Sequence, residues 1–131
     1  MPFVRITTFG RTLSGEEVRR LQDGATKLMV SVMRKPIGGT AILVAPVDTG
    51  GWSIGGEPVS IAAQVEAMIG VGTNTPDEKA RFMADMMRLL QSVLGSDLRT
   101  ETYVVCHEFD HESYGRGGLT RAERDRRSKA A

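Results

Sequence analysis

The chain repeats itself. Sliding the 131-residue sequence by 62 positions pairs Gly10 with Gly72, Glu16 with Glu78, Arg19 with Arg81, Asp23 with Asp85, Thr40 with Thr102, Asp48 with Asp110, Gly55 with Gly117 and Gly56 with Gly118. An offset that holds without gaps marks a duplicated supersecondary unit. The apolar pattern follows the same offset. Val18, Leu21, Ala25, Leu28 and Val32 form one helical stripe, and Ala80, Met83, Met87, Leu90 and Leu94 repeat it. Ser14 with Glu17, and Thr75-Pro76 with Glu78, supply helix-start signals of the capping-box type.

Extended segments FVRITTF at 3–9 and QVEAMIGV at 64–71 precede the two helices, and β-rich runs AILVA at 41–45 and TYVVC at 102–106 follow them. A helical crossover between two strands makes them parallel, so each unit, 2–60 and 64–120, reads β-α-β. Each closes on an aromatic residue and a Gly-Gly turn, WSIGG at 52–56 and YGRGG at 114–118, the pattern of a small hairpin. The predicted fold is α/β: a single domain over 1–131, a two-layer sandwich with a four-stranded mixed sheet and both helices on one face. Segment 57–63, EPVSIAA, is the expected connection between units, and 121–131, RAERDRRSKAA, reads as a solvated helix or frayed tail. The strands are apolar on both sides while only one face receives helices. An oligomer is therefore expected, and a homotrimer suits the pseudo-repeat best.

Composition narrows the partners. A net charge of +1 and a basic tail without interleaved aromatics argue against nucleic acid. No apolar run approaches the roughly 18 residues of a membrane span. The single cysteine, Cys106, cannot form an internal bridge, and no basic-then-apolar leader opens the chain, so a cytoplasmic setting is the expectation. A small molecule, or another copy of the chain, is the expected partner.

Pro2 is the most pointed candidate for chemistry. Removal of Met1 would leave a secondary amine at the start of a strand, and an apolar pocket or a nearby cation would hold such an amine neutral at cellular pH, fit to act as a general base. With PFVRITTFGRTLSGEE followed by GGWSIGGEPV, the sequence resembles the 4-oxalocrotonate tautomerase (4-OT) group of the tautomerase superfamily, and the duplication resembles its fused members. The resemblance implies a cofactor-independent tautomerase acting on a small 2-oxo acid. In it Pro2 is the base, Arg11 binds a carboxylate or polarises a carbonyl, and Trp52 replaces a pocket phenylalanine. The family's second arginine falls on Ala41 and, in the second unit, on Tyr103, while Gln64 stands where a second proline would open that unit. Arg116 and Arg99 are the candidate replacements, with Tyr114 or Tyr103 as hydrogen-bond donors to a substrate oxygen. Two alternatives stay open: a protonated Pro2 serving hydration, dehalogenation or decarboxylation, or a catalytically silent oligomeric binding protein.

HEFDH at 107–111 matches the H-E-x-x-H pattern of zinc peptidases, but it aligns with the strand-to-turn segment APVDT, so no metal site is expected. His107 or Glu108 is expected to line a pocket at the strand end. Met83, Met86 and Met87 read as core filling and Cys106 as a small buried hydrophobe.

Overall fold

The computed structural model describes residues 2–130. Strand β1 (Phe3–Phe9), helix α1 (Gly15–Ser31) and strand β2 (Ala41–Val47) form the first unit; β5 (Ala62–Gly70), α2 (Pro76–Leu94) and β6 (Tyr103–Phe109) form the second. Two-residue hairpins follow each, β3 (Ser53–Ile54) with β4 (Glu57–Pro58), and β7 (Gly115–Arg116) with β8 (Leu119–Thr120), and helix α3 (Arg121–Ala130) ends the chain. The main sheet runs β2-β1-β5-β6, parallel within each unit and antiparallel where β1 meets β5.

Local chemistry sets the helix starts. The Ser14 hydroxyl accepts from the Glu17 amide at 3.1 Å while the Glu17 carboxylate accepts from the Ser14 amide at 3.0 Å. Thr75 and Glu78 repeat this at 3.1 and 2.9 Å, with Pro76 opening α2. Alternation then sets the faces of the sheet. Val4, Ile6 and Thr8 of β1, and Ala63, Val65, Ala67 and Ile69 of β5, are buried beneath both helices in one core with Leu21, Ala25, Met29, Phe82, Met86 and Leu90. Gly24 lets the helices close up, since a Cβ there would stand 2.6 Å from the Leu89 side chain.

The helices depart from the 62-residue offset. Caps and core positions match at 61 instead: Ser14 with Thr75, Leu21 with Phe82, Ala25 with Met86, Met29 with Leu90. Three residues separate Gly10 from the first cap and two separate Gly72 from the second, and one extra residue between Leu90 and Tyr103, compared with Met29 to Ala41, restores 62 in the later strands and hairpins. The predicted second stripe is thus out of register in its first half: Ala80 and Met83 are exposed and Phe82 and Met86 fill the core in their place, whereas Leu90 and Leu94 are buried as expected. The expected connection at 57–63 is shorter than drawn, because Glu57 and Pro58 belong to the first hairpin and β5 begins at Ala62.

Among the described residues the opposite sheet face carries no helix, and only the segments around the two hairpins touch its ends, Trp52 near Phe9 and Ser113–Tyr114 near Phe3, Met68 and Phe109. Phe3, Phe9, Leu43, Met68, Tyr103, Val105 and Phe109 occupy it around a polar stripe in which Arg5 stands opposite Glu66 and His107 bonds the Glu66 carboxylate at 2.9 Å. Among the described residues no helix is long and apolar enough to cross a membrane.

Candidate active site

Because β1 and β5 run antiparallel, each hairpin folds over the start of the other unit's first strand. The first hairpin stays beside the end of β1, where Trp52 lies 6.2 Å from Phe9 between ring centroids. A cavity of about 380 Å³ at that end is lined by Phe9, Gly10, Arg11, Pro46 and Asp48 among others. The Arg11 guanidinium pairs with Glu17 and donates to the Val93 carbonyl at 2.6 Å.

Pro2 is at the opposite end. It is fully buried, and its carbonyl accepts from the Ala41 amide at 3.1 Å. Since Phe3 faces Ala41 and Met68, one further step of register sets Pro2 between Thr40 and Ile69. Seven steps along the strand, about 23 Å, separate it from Phe9 and the Arg11–Trp52 end. The second hairpin covers this region instead. Phe3, Met68, Phe109, Ser113 and Tyr114 enclose a small apolar hollow, and a Cβ on Gly70 would stand 2.3 Å from the Tyr114 hydroxyl.

Beside it lies a cavity of about 400 Å³ bounded by Arg34, Lys35, Thr73, Tyr114, Arg116, Arg121 and Arg124, with Asp125 and Ser128. Arg116 reaches over Gly39, whose Cβ, were one present, would be 3.7 Å from the guanidinium carbon. Lys35 donates to the Thr73 hydroxyl at 2.8 Å, and Thr73 donates onward to the Gly70 carbonyl at 2.7 Å. Burial pushes the Lys35 ammonium below its ordinary pKa, and the Arg121 and Arg34 guanidiniums push the same way, against the pull of Glu78. Arg34 is tied to Glu78 at 2.6 Å and Arg121 to Asp125 at 3.1 Å, with a 3.3 Å contact from Arg121 to the Tyr114 hydroxyl.

The structure therefore brings Pro2, Tyr114 and Arg116 to one end and Arg11 and Trp52 to the other. Arg99 pairs with Glu101 at 3.1 Å in the loop before β6, on the Arg11 side. His107 points to the uncovered sheet face rather than into a cavity, since β6 alternates and its partner is Glu66. Tyr103 is exposed on that same face. Glu108 pairs with Lys79 at 2.6 Å, and His111 bonds the Val71 carbonyl at 3.0 Å, so the two histidines of HEFDH serve separate partners off a strand.

Lys35, Arg121 and Arg124 escaped sequence reasoning. A Lys-Pro pair just past a helix is a weak signal. Arg121, Arg124, Asp125 and Ser128 do share a helical face at i, i+3, i+4 and i+7, but a helix polar all round gives no hint that one side faces a cavity.

The family model for tautomerase enzymes matches residues 2–62. The probable tautomerase K2 of Dickeya dadantii (strain 3937) is 35% identical over 60 residues, which cover 46% of this chain and 90% of that protein. The chain belongs to the tautomerase family. Its tandem architecture is shared by solved folds of the same length. A protein inactivated by 2-oxo-3-pentynoate superimposes with a TM-score of 0.82 at 15% identity, covering 93% of this tautomerase-family chain and 98% of that one. A wild-type fused 4-OT that forms an asymmetric trimer gives 0.80 at 22%, covering 94% and 98%. Both matches span the two units, whereas the family model lies over the first.

Proposed function

We propose that this tautomerase-family chain moves a proton between carbon and oxygen, or between two carbons, of a small 2-oxo acid, with the Pro2 nitrogen as general base once Met1 is removed. Met1 itself lies outside the described residues. One observation carries the reading: Pro2 is fully buried at the sheet end over which Tyr114 and Arg116 fold, and those two side chains border, with Lys35, a cavity whose lining stops short of Pro2 itself. Burial and adjacent positive charge both disfavour protonation of an amine, which favours the base role over the acid role that hydration or decarboxylation would require. Proton abstraction next to the carbonyl builds negative charge on its oxygen. Lys35, Arg116 and the Tyr114 hydroxyl are the donors able to meet that charge, and an arginine fork suits the carboxylate.

Arg11 and Trp52 serve Pro2 in this reading only across a subunit boundary, because within one chain they stand at the far end of β1. A homotrimer closed over the uncovered sheet face supplies such a boundary, and the protein is expected in the cytoplasm without a cofactor.

An acetylenic 2-oxo acid tests the base. A neutral amine adds to the electron-poor alkyne of 2-oxo-3-pentynoate, forming a nitrogen–carbon bond while a proton ends on the neighbouring carbon, so the protein gains the whole reagent mass. The reading expects one adduct per chain on Pro2, with loss of phenylenolpyruvate ketonisation in step. Labelling elsewhere, or full turnover by a Pro2→Ala variant, would overturn it.

A further inference from the structure

We propose that helix α3 is a working wall of the cavity beside Pro2, and that Arg124 is its specificity-determining residue, gripping an anionic group on the ligand end remote from Pro2. The inference rests on that cavity being the substrate site.

The charges of the cavity do not cancel. Arg34 is neutralised by Glu78, and Arg121 by Asp125. Lys35 has only the neutral Thr73 hydroxyl as acceptor. Among the described residues neither Arg116 nor Arg124 has a carboxylate partner, although other arginines of α3 do: Arg126 and Arg127 both close on Glu123. Three positive charges therefore border one half-open cavity, and among the described residues none of the three has a counter-ion. Holding like charges together costs free energy, and a ligand carrying more than one negative charge relieves it.

The three cations are also spread along the cavity. Lys35 and Arg116 belong to the Pro2 side, through Thr73 and Gly39 respectively. Arg124 lies one helical turn beyond Arg121 and near the tip of the second hairpin, where a Cβ on Gly117 would be 3.9 Å from its guanidinium. Arg121 to Ser128 spans two turns, about 10 Å of helix, so α3 borders the cavity along its length. The helix buries no residue and is held by the Thr120 hydroxyl under the Glu123 amide, and by Arg121 and Ala122 amides donating to the Tyr114 and His111 carbonyls. A helix that buries no residue and turns an unpaired arginine toward a cavity is placed for a ligand.

Titration calorimetry with unreactive acids of equal chain length tests this. Adipate, with two carboxylates, is compared with hexanoate, with one, and 5-phosphonopentanoate replaces the distal carboxylate by a phosphonate. The unmodified chain should bind at least one dianion about tenfold or more tightly than hexanoate, the range expected of one charge-assisted contact. Arg124→Gln should erase that preference while leaving hexanoate affinity and the thermal midpoint unchanged, and Arg124→Lys should restore part of it. A chain that does not discriminate, or an Arg124→Gln variant that still does, overturns the proposal. Pro2→Ala should keep the preference, so failure of the base and failure of the α3 wall give different results.

Discussion

Gly10→Ala should destabilise the protein far more than Gly72→Ala, although the repeat pairs the two positions. Both glycines have left-handed backbone, with φ of 98° and 74°. Forcing alanine into that region costs about 1–2 kcal/mol at either site. The surroundings differ: a Cβ on Gly10 would stand 1.8 Å from the Ser60 carbonyl oxygen, whereas one on Gly72 meets nothing within 4 Å. The clash is with backbone that leads directly into β5, so it must be relieved by parting the β1 turn from segment 59–61, an overpacking cost of about 1–3 kcal/mol. The expected losses are about 2–5 kcal/mol for Gly10→Ala and about 1–2 for Gly72→Ala. At this chain length 1 kcal/mol corresponds to about 3–5 °C, so the midpoints should differ by roughly 3–15 °C. Thermal and urea unfolding at one fixed protein concentration make the comparison, because assembly adds to apparent stability. Equal losses in the two variants would refute the close approach at Ser60 and, with it, the way the turn before Arg11 is held.

Three further outcomes follow from individual side chains. Thr8→Val should stabilise by about 1 kcal/mol in urea unfolding, since the buried Thr8 hydroxyl has no hydrogen-bond partner and valine keeps its shape. The Arg34 guanidinium, the Thr75 amide and the Asn74 amide group hold the Glu78 carboxyl at about 2, below its unfolded value of 4.5, so its contribution is complete above pH 4.5 and fades as pH falls toward 2. Glu78→Gln should flatten that acid limb in a series of unfolding curves at stepped pH. Lys35→Met removes a cation from the Pro2 side of the cavity and should move the acid limb of the pH–rate profile upward, with little change in thermal midpoint.

The fold was legible because duplication, alternation and capping agree with one another. Ser14, Glu17, Thr75 and Glu78 make the helix starts where the sequence puts them. The first half of the second helical stripe slipped by one residue because a residue lost before α2 is regained between its core and β6, so that a gap-free offset correct for strands and hairpins conceals a local shift. The site was less legible, and for a topological reason. Motif spacing along one unit joins Pro2, Arg11 and Trp52, yet the antiparallel β1–β5 pairing sends the first unit's hairpin away from Pro2 and brings in the second unit's Tyr114 and Arg116. The cations that complete the cavity come from a loop after α1 and from a tail without apolar pattern, where sequence alone gives no face. His107 reads as a pocket residue until alternation along β6 sets it beside Glu66.

Titration of the Pro2 nitrogen, in mature chain labelled with nitrogen-15 at proline and checked by intact mass, tests the central claim most directly. The account expects a mass lacking one methionine and a nitrogen that titrates below the ordinary α-amino range of about 7.7–8.0. A retained methionine, or a nitrogen that titrates at or above that range, would contradict it.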